Sequence, residues 1–206
     1  KALMLAQQSE DQDVMVDTLK GIIASCVLSK IDVDKLATFD IEYIFTQIRA
    51  KSVGEISQIV FKCDQCEGND KAIVQVNIDL TQLAVDFPEG HTKKIPLFGE
   101  VGVMMKYPTF DVIKQAQHVD KNDVNSAFQL IIDCIDYIYT VDEIHKPEDY
   151  SKQELRDFLE NLTSEQFNSI QTFFNTMPKI RKNVEYDCPE CGKHHKAVVE
   201  GIESFF

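Results

Sequence analysis

The sequence predicts an α+β fold: helices at the N-terminus, strands next, a helical middle, and a return to strands. Three observations predict it. Apolar residues recur at helical spacing over residues 9–29 and 38–50. The period then becomes two in "EISQIVFKC" and "KAIVQVNIDL", which are rich in β-branched residues. Helical spacing resumes after Pro108, and alternation returns in "IRKNVEYDC".

Taken in order, the acidic cluster "SEDQD" (residues 9–13) suits a helix N-terminus, where carboxylates meet unpaired N–H groups. Val14, Val16, Leu19, Ile22, Ile23, Cys26 and Val27 then form an apolar stripe. A second helix from Thr38 to Ala50 buries Phe39, Ile41, Ile44, Phe45 and Ile48, and Gly54 stops the segment. "CDQCEGND" is a turn by composition, so the flanking strands form a β-hairpin with C-x-x-C at its tip. "HTKKIPLF" and "VGVMMKYP" are two short strands, the first kept to an edge by Pro96. "TFDVIKQAQ", "DVNSAFQLIIDCIDYIYTV", "SKQELRDFLENL" and "SEQFNSIQTFFNTM" carry helical spacing. Ser151 with Glu154, and Thr163 with Gln166, match the capping box. Pro178 closes the last helix, and "KAVVEGIESFF" begins as a strand. With no repeat and no low-complexity linker, residues 1–206 read as a single α+β unit. Its parts are N-terminal helices (1–54), a first hairpin and further strands (55–107), a helical insertion (108–178), and a second hairpin with a tail (179–206).

The composition narrows the function. At 44% hydrophobic with 13 Phe, the chain is globular. Its 21 Lys and Arg against 34 Asp and Glu leave a formal charge of −13, which repels phosphate backbones in bulk. No apolar run reaches the roughly 18 residues a membrane span needs. "KALMLAQQ" lacks the apolar core of a signal peptide, and the missing initiator Met places the natural start upstream. Four of the six cysteines form two C-x-x-C pairs, a pattern of metal sites in reducing compartments, so an intracellular origin is expected.

"FKCDQCEGNDKAIVQV" and "YDCPECGKHHKAVVEG" both read strand, C-x-x-C, polar turn, strand, and Lys-Ala-(Ile/Val)-Val follows each turn. This is the zinc-knuckle pattern: Cys63, Cys66, Cys188 and Cys191 would supply a tetrahedral set of four thiolates for one structural Zn2+. The 121 residues between the pairs (67–187) exceed ordinary ribbon spacing. A redox C-x-x-C should open a helix, and neither pair does. A zinc deaminase needs H-x-E before P-C-x-x-C; Asp187 precedes Cys188, and no H-x-E occurs. Two independent, metal-free hairpins are the remaining alternative. His194 and His195 read as solvated strand positions, with ligation in place of a cysteine as the alternative. His91, His118 and His145 have no spacing partner and read as ordinary surface or turn residues, and Cys26 and Cys134 read as small core residues.

No phosphate-binding glycine loop, nucleophile elbow or H-E-x-x-H stretch is present. The eight acids against three bases from Asp142 to Glu165 read as a wet face. A non-enzymatic role is therefore expected. Phe205 and Phe206, at the chain end, either fold back on the core or anchor a partner.

"FDIEYIFTQIRAKSVGE", a strand into "CDQC", "VGVMMKYPTFD" and the tail "CPEC…GIESFF" together resemble the T-even-type bacteriophage baseplate hub and hub-assembly proteins. The resemblance runs from about Leu36 to the C-terminus. It rests on the order of the R-x-x-S-x-G-E element, the (V/M)-K-Y-P strand end and the terminal Phe-Phe. Members commonly carry a β-rich segment upstream, with which this chain does not begin. The resemblance implies a structural component or assembly factor of the central hub of a contractile-tail baseplate. Such a factor would contact other hub and tail proteins in the host cytoplasm, and the finished virion baseplate is its other location. The resemblance implies no catalytic residues. The competing reading is a zinc-ribbon regulator that binds nucleic acid through Lys179, Arg181, Lys182, Lys193 and Lys196.

Overall fold

A computed structural model describes residues 12–66, 69, 71–117 and 124–205. Ser9, Glu10, Asp11, His118 and Phe206 lie outside the described residues. The architecture is mixed helix and sheet, with small antiparallel sheets. Where the sequence reading expects a single unit, the residues group into two. One comprises Phe87–Met177 with Asp32–Thr38 and the residues up to Thr18. The other comprises Leu19–Ile31, Phe39–Asp86 and Pro178–Phe206.

The first helices among the described residues are α1 (Gln12–Cys26) and α2 (Thr38–Ser52). In α1 the apolar stripe buries Val16, Leu19 and Ile23, while Val14 and Cys26 are exposed. Cys26 is thus no core residue. It lies in the last turn of the helix, at the exposed end of the stripe.

In the unit built around 87–177, β4 (Lys94–Phe98), β5 (Val101–Met105), β6 (Ile135–Tyr139) and β7 (Ile144–His145) form an antiparallel sheet in that order. Helices α3 (Phe110–Gln117), α4 (Val124–Asp133), α5 (Lys152–Glu160) and α6 (Ser164–Asn175) complete it. Its core gathers Ile95, Val103, Met105, Ile135, Leu159, Ile170 and Phe173, and Cys134 is buried there as expected. Pro96 sits on the edge strand β4 beside a register shift.

One predicted helix is overturned. "DVNSAFQLIIDCIDYIYTV" is helical only to Asp133, after which Ile135–Tyr139 becomes β6, paired with β5. The Cys134 N–H closes the helix on the carbonyls of Leu130 and Ile131, and its carbonyl accepts the Lys106 N–H. "IDYIY" satisfies both periods, and the free edge of β5 decides between them. Across that pairing Tyr139 faces Gly102, where a Cβ would collide with the Tyr139 ring and the Ile95 carbonyl.

His91, read as an ordinary turn residue, is a buttress. Its Nδ1 lies 2.9 Å from Thr176 Oγ1 and its Nε2 3.0 Å from Tyr107 Oη. The Thr176 hydroxyl donates to the Thr172 carbonyl, so Nδ1 must carry the proton and Nε2 must accept from Tyr107. Its ring stacks on Phe173, and burial holds its pKa below the usual histidine value. A depressed folded-state pKa contributes stability that is present above the unfolded value and lost on acidification.

In the other unit, β1 (Ile56–Lys62) pairs with β2 (Ile73–Asp79) as a hairpin. A three-stranded sheet orders β3 (Val85–Asp86), β8 (Lys179–Asp187) and β9 (His194–Glu200). The inward faces contribute Ile59, Phe61, Val76, Ile78, Val184, Tyr186 and Val199 to one core. Gln47 of α2 donates to the Leu80 carbonyl, and buried Ser57 donates to the Phe205 carbonyl.

Both predicted capping boxes form, at Ser151/Glu154 and Thr163/Gln166. Ser151→Ala should cost about 1 kcal/mol, and a urea titration with an unchanged slope should show it. Gly102→Ala should cost about 1–3 kcal/mol by overpacking, read the same way. The wild-type melting temperature should fall as pH drops from about 7 through 6.5. His91→Phe should flatten that slope in the same window.

Candidate metal centre

Alternation along the strands positions the four cysteines. Phe61 and Cys63 share the inward face of the first hairpin, and Tyr186 and Cys188 share that of the second. Each hairpin has a seven-pair register, from Ile56↔Asp79 to Lys62↔Ile73 and from Arg181↔Glu200 to Asp187↔His194. Phe61 and Tyr186, each two residues before a cysteine, stack on one another with centroids 4.8 Å apart. Equivalent positions of the two hairpins therefore meet, and the next inward position on each is a cysteine.

The turns differ in length but share one closing bond. Cys63 N–H donates to the Ala72 carbonyl, and Cys188 N–H to that of Lys193. The second turn closes with a bond from the Gly192 N–H to the Cys188 carbonyl, and Gly192 takes a φ of 69° that favours glycine. The repeated Lys-Ala-(Ile/Val)-Val is not an equivalence. Ile73 occupies the register position of His194, so the two copies are out of step by four residues. The hairpins match through their strands and cysteines, not through that tetrapeptide.

All four sulfurs lie within 4.8 Å of one another. Cys63 Sγ is 3.8 Å from Cys191 Sγ, and Cys66 Sγ is 4.0 Å from Cys188 Sγ, so each close pair takes one sulfur from each hairpin. The four are free cysteines. Cys63 and Cys188 are buried, Cys66 is half-buried and Cys191 is exposed. The two turns are also linked by Lys193 Nζ to Asp64 Oδ1 at 3.2 Å and by Asn69 Nδ2 to Glu190 Oε2 at 3.1 Å.

The electrostatics favour a cation. Backbone N–H groups of Cys191 and Glu190 pull the Cys188 thiol down to about 7. The hydrogen bond to Cys191 and burial push Cys66 up to about 12, and burial raises Cys63. Four thiolates this close repel one another, so the group ionises fully only around a positive ion. The set can hold a metal ion; with four protein donors it leaves no open position for chemistry at that ion.

His195, which reads from the sequence as a solvated strand position with ligation as the alternative, sits against the centre. His195 Nε2 lies 3.3 Å from Cys63 Sγ, and its ring stacks on Tyr186 at 5.0 Å and 9°. Cys63, Asp64 and His195 form a second close group. His194 points the other way, to Asp187 Oδ1 at 2.8 Å, and is half exposed. The adjacent pair of histidines marked the place, but only the pleat tells them apart. Phe205 is fully buried in the core, so it is not an exposed anchor.

The chain matches the family described as T4 bacteriophage base plate protein over residues 1–206. It is 27% identical over 206 residues to the baseplate hub assembly protein gp26 of Enterobacteria phage T4, covering 99% of this chain and 86% of that protein. No solved structure matches significantly.

The basic residues around the second knuckle are mostly paired. Lys179 and Arg181 meet Glu200 at 3.2 Å, Arg181 also meets Asp86 at 3.5 Å, and Lys196 meets Glu185 at 2.7 Å. Lys193 is held by Asp64. A phosphate backbone would have to displace four carboxylates from a chain of charge −13. Filter binding with duplex DNA and with single-stranded RNA at physiological salt should show no retention.

Proposed function

Because the chain belongs to the T4 bacteriophage base plate protein family, we propose that it is a non-enzymatic structural component or assembly factor of the central hub of a contractile-tail baseplate. The match over the whole chain carries this reading, and the hub-assembly relative narrows it to the hub. Its partners would be other baseplate hub and tail proteins, met in the host cytoplasm during morphogenesis. Among the described residues no helix is long and apolar enough to cross a membrane. A phage disrupted in this gene should accumulate tails or hubs without complete baseplates, and the chain supplied in trans should restore them. Normal baseplates in the disrupted phage would overturn the assignment.

The metal we assign to the centre is a structural Zn2+ held by Cys63, Cys66, Cys188 and Cys191. Thiolates about 2.3 Å from a tetrahedral zinc stand about 3.8 Å apart, which supports this reading beside the close pairs at 3.8 and 4.0 Å. The ion would hold together two hairpins that are distant in sequence. A cross-link over a loop of more than 100 residues removes about 5 kcal/mol of unfolded-state entropy on the chain-entropy account. Metal–thiolate bonding in small modules contributes on the order of 10 kcal/mol.

Elemental measurement should find one zinc per chain. Cys63→Ser or Cys188→Ser should leave the protein insoluble or protease-sensitive, and a strong chelator should lower its melting temperature. Metal-free protein whose melting a chelator leaves unchanged would overturn the zinc assignment while leaving the baseplate role standing.

A further inference from the structure

We propose that His195 is a positioning residue for the metal centre, donating its Nε2–H to the Cys63 thiolate across the hairpin interface. The inference rests on the zinc reading above. Four thiolates around a divalent ion carry a net charge of −2, and partial burial makes that charge costly unless donors aim at the sulfurs. Backbone donors come from within each turn: Gln65 N–H reaches Cys63, while Glu190 and Cys191 N–H groups reach Cys188. His195 differs from them. It lies on β9 of the second hairpin, yet its nitrogen is 3.3 Å from a sulfur of the first.

Strand register and stacking place the ring. Register sets His195 opposite Tyr186, and the two rings stack nearly parallel. Tyr186 is itself stacked on Phe61, two residues before Cys63. The Phe61–Tyr186–His195 ladder thus reaches from the first hairpin into the second and returns to a first-hairpin ligand. His195 keeps only 12% of its side-chain surface exposed, against 51% for His194. Nδ1 faces Asp64 Oδ1 at 3.9 Å, and Lys193 holds that carboxylate. Four cysteines already complete the tetrahedral set, so the ring serves as donor rather than as ligand.

The test compares wild-type protein with His195→Phe, which keeps a ring to stack, and His195→Gln, which keeps an N–H. Zinc affinity is read by competition with a chromophoric chelator, and the ligand set by the absorption spectrum of the cobalt(II)-loaded chain. His195→Phe should bind zinc about 10–100-fold more weakly with an unchanged four-thiolate cobalt spectrum, and Gln should recover part of the loss. Unchanged affinity in His195→Phe would overturn the proposal. A cobalt spectrum altered in His195→Phe would overturn it in favour of direct ligation. Should the variant not fold, wild-type protein loaded with cadmium-113 answers the same question by magnetic resonance. A coupling from the His195 Nε2 proton to the metal supports the donor, and its absence overturns it. A wild-type chain that binds none of these metals fails the zinc reading itself.

Discussion

The knuckle-bearing unit depends on one constraint: side chains along a strand alternate, so whatever follows an inward residue by two also points inward. Phe61 and Tyr186, both half-buried, stack on each other, and Cys63 and Cys188 come next on the same faces. Aromatic packing therefore aims the two strand-end sulfurs at one point, and the C-x-x-C turns bring the other two beside them. The hairpin ladders, the shared core and the links between Lys193 and Asp64 and between Asn69 and Glu190 all depend on that approach. A one-residue slip in either hairpin would turn its cysteine-bearing face outward.

The same arrangement accounts for the chemical character of the centre. Four sulfurs in mutual contact repel one another as thiolates, and four protein donors complete a tetrahedron. A divalent ion resolves the first problem, and the second leaves no vacant position for a substrate. That suits a structural protein of a baseplate family. The surface nearby is consistent with it: the bases around the second knuckle meet carboxylates, which leaves little field to attract phosphates.

Much of this was legible in the residues. Turn composition and period-two alternation marked both hairpins, and the matching C-x-x-C pairs marked the centre. The capping boxes of α5 and α6 were read correctly because their bonds span three residues. The division of residues 124–141 was not legible, because "IDYIY" fits a helix as well as a strand. Its strand state comes from β5, some thirty residues earlier in the chain. The tetrapeptide repeat misled for a related reason: strand pairing sets equivalence between hairpins, and turns of unequal length shift the text against the structure.

By itself, then, the sequence determined the α+β class, the places of most helices and strands, and the four cysteines that matter. Those properties follow from local period, turn chemistry and ligand type, which act over a few residues. Only the tertiary structure decided which of two adjacent histidines faces Cys63, that Phe205 is buried and Cys26 exposed, and that His91 braces Tyr107 and Thr176. Each of these depends on a neighbour far along the chain, brought close by packing. Local pattern carries no record of that neighbour.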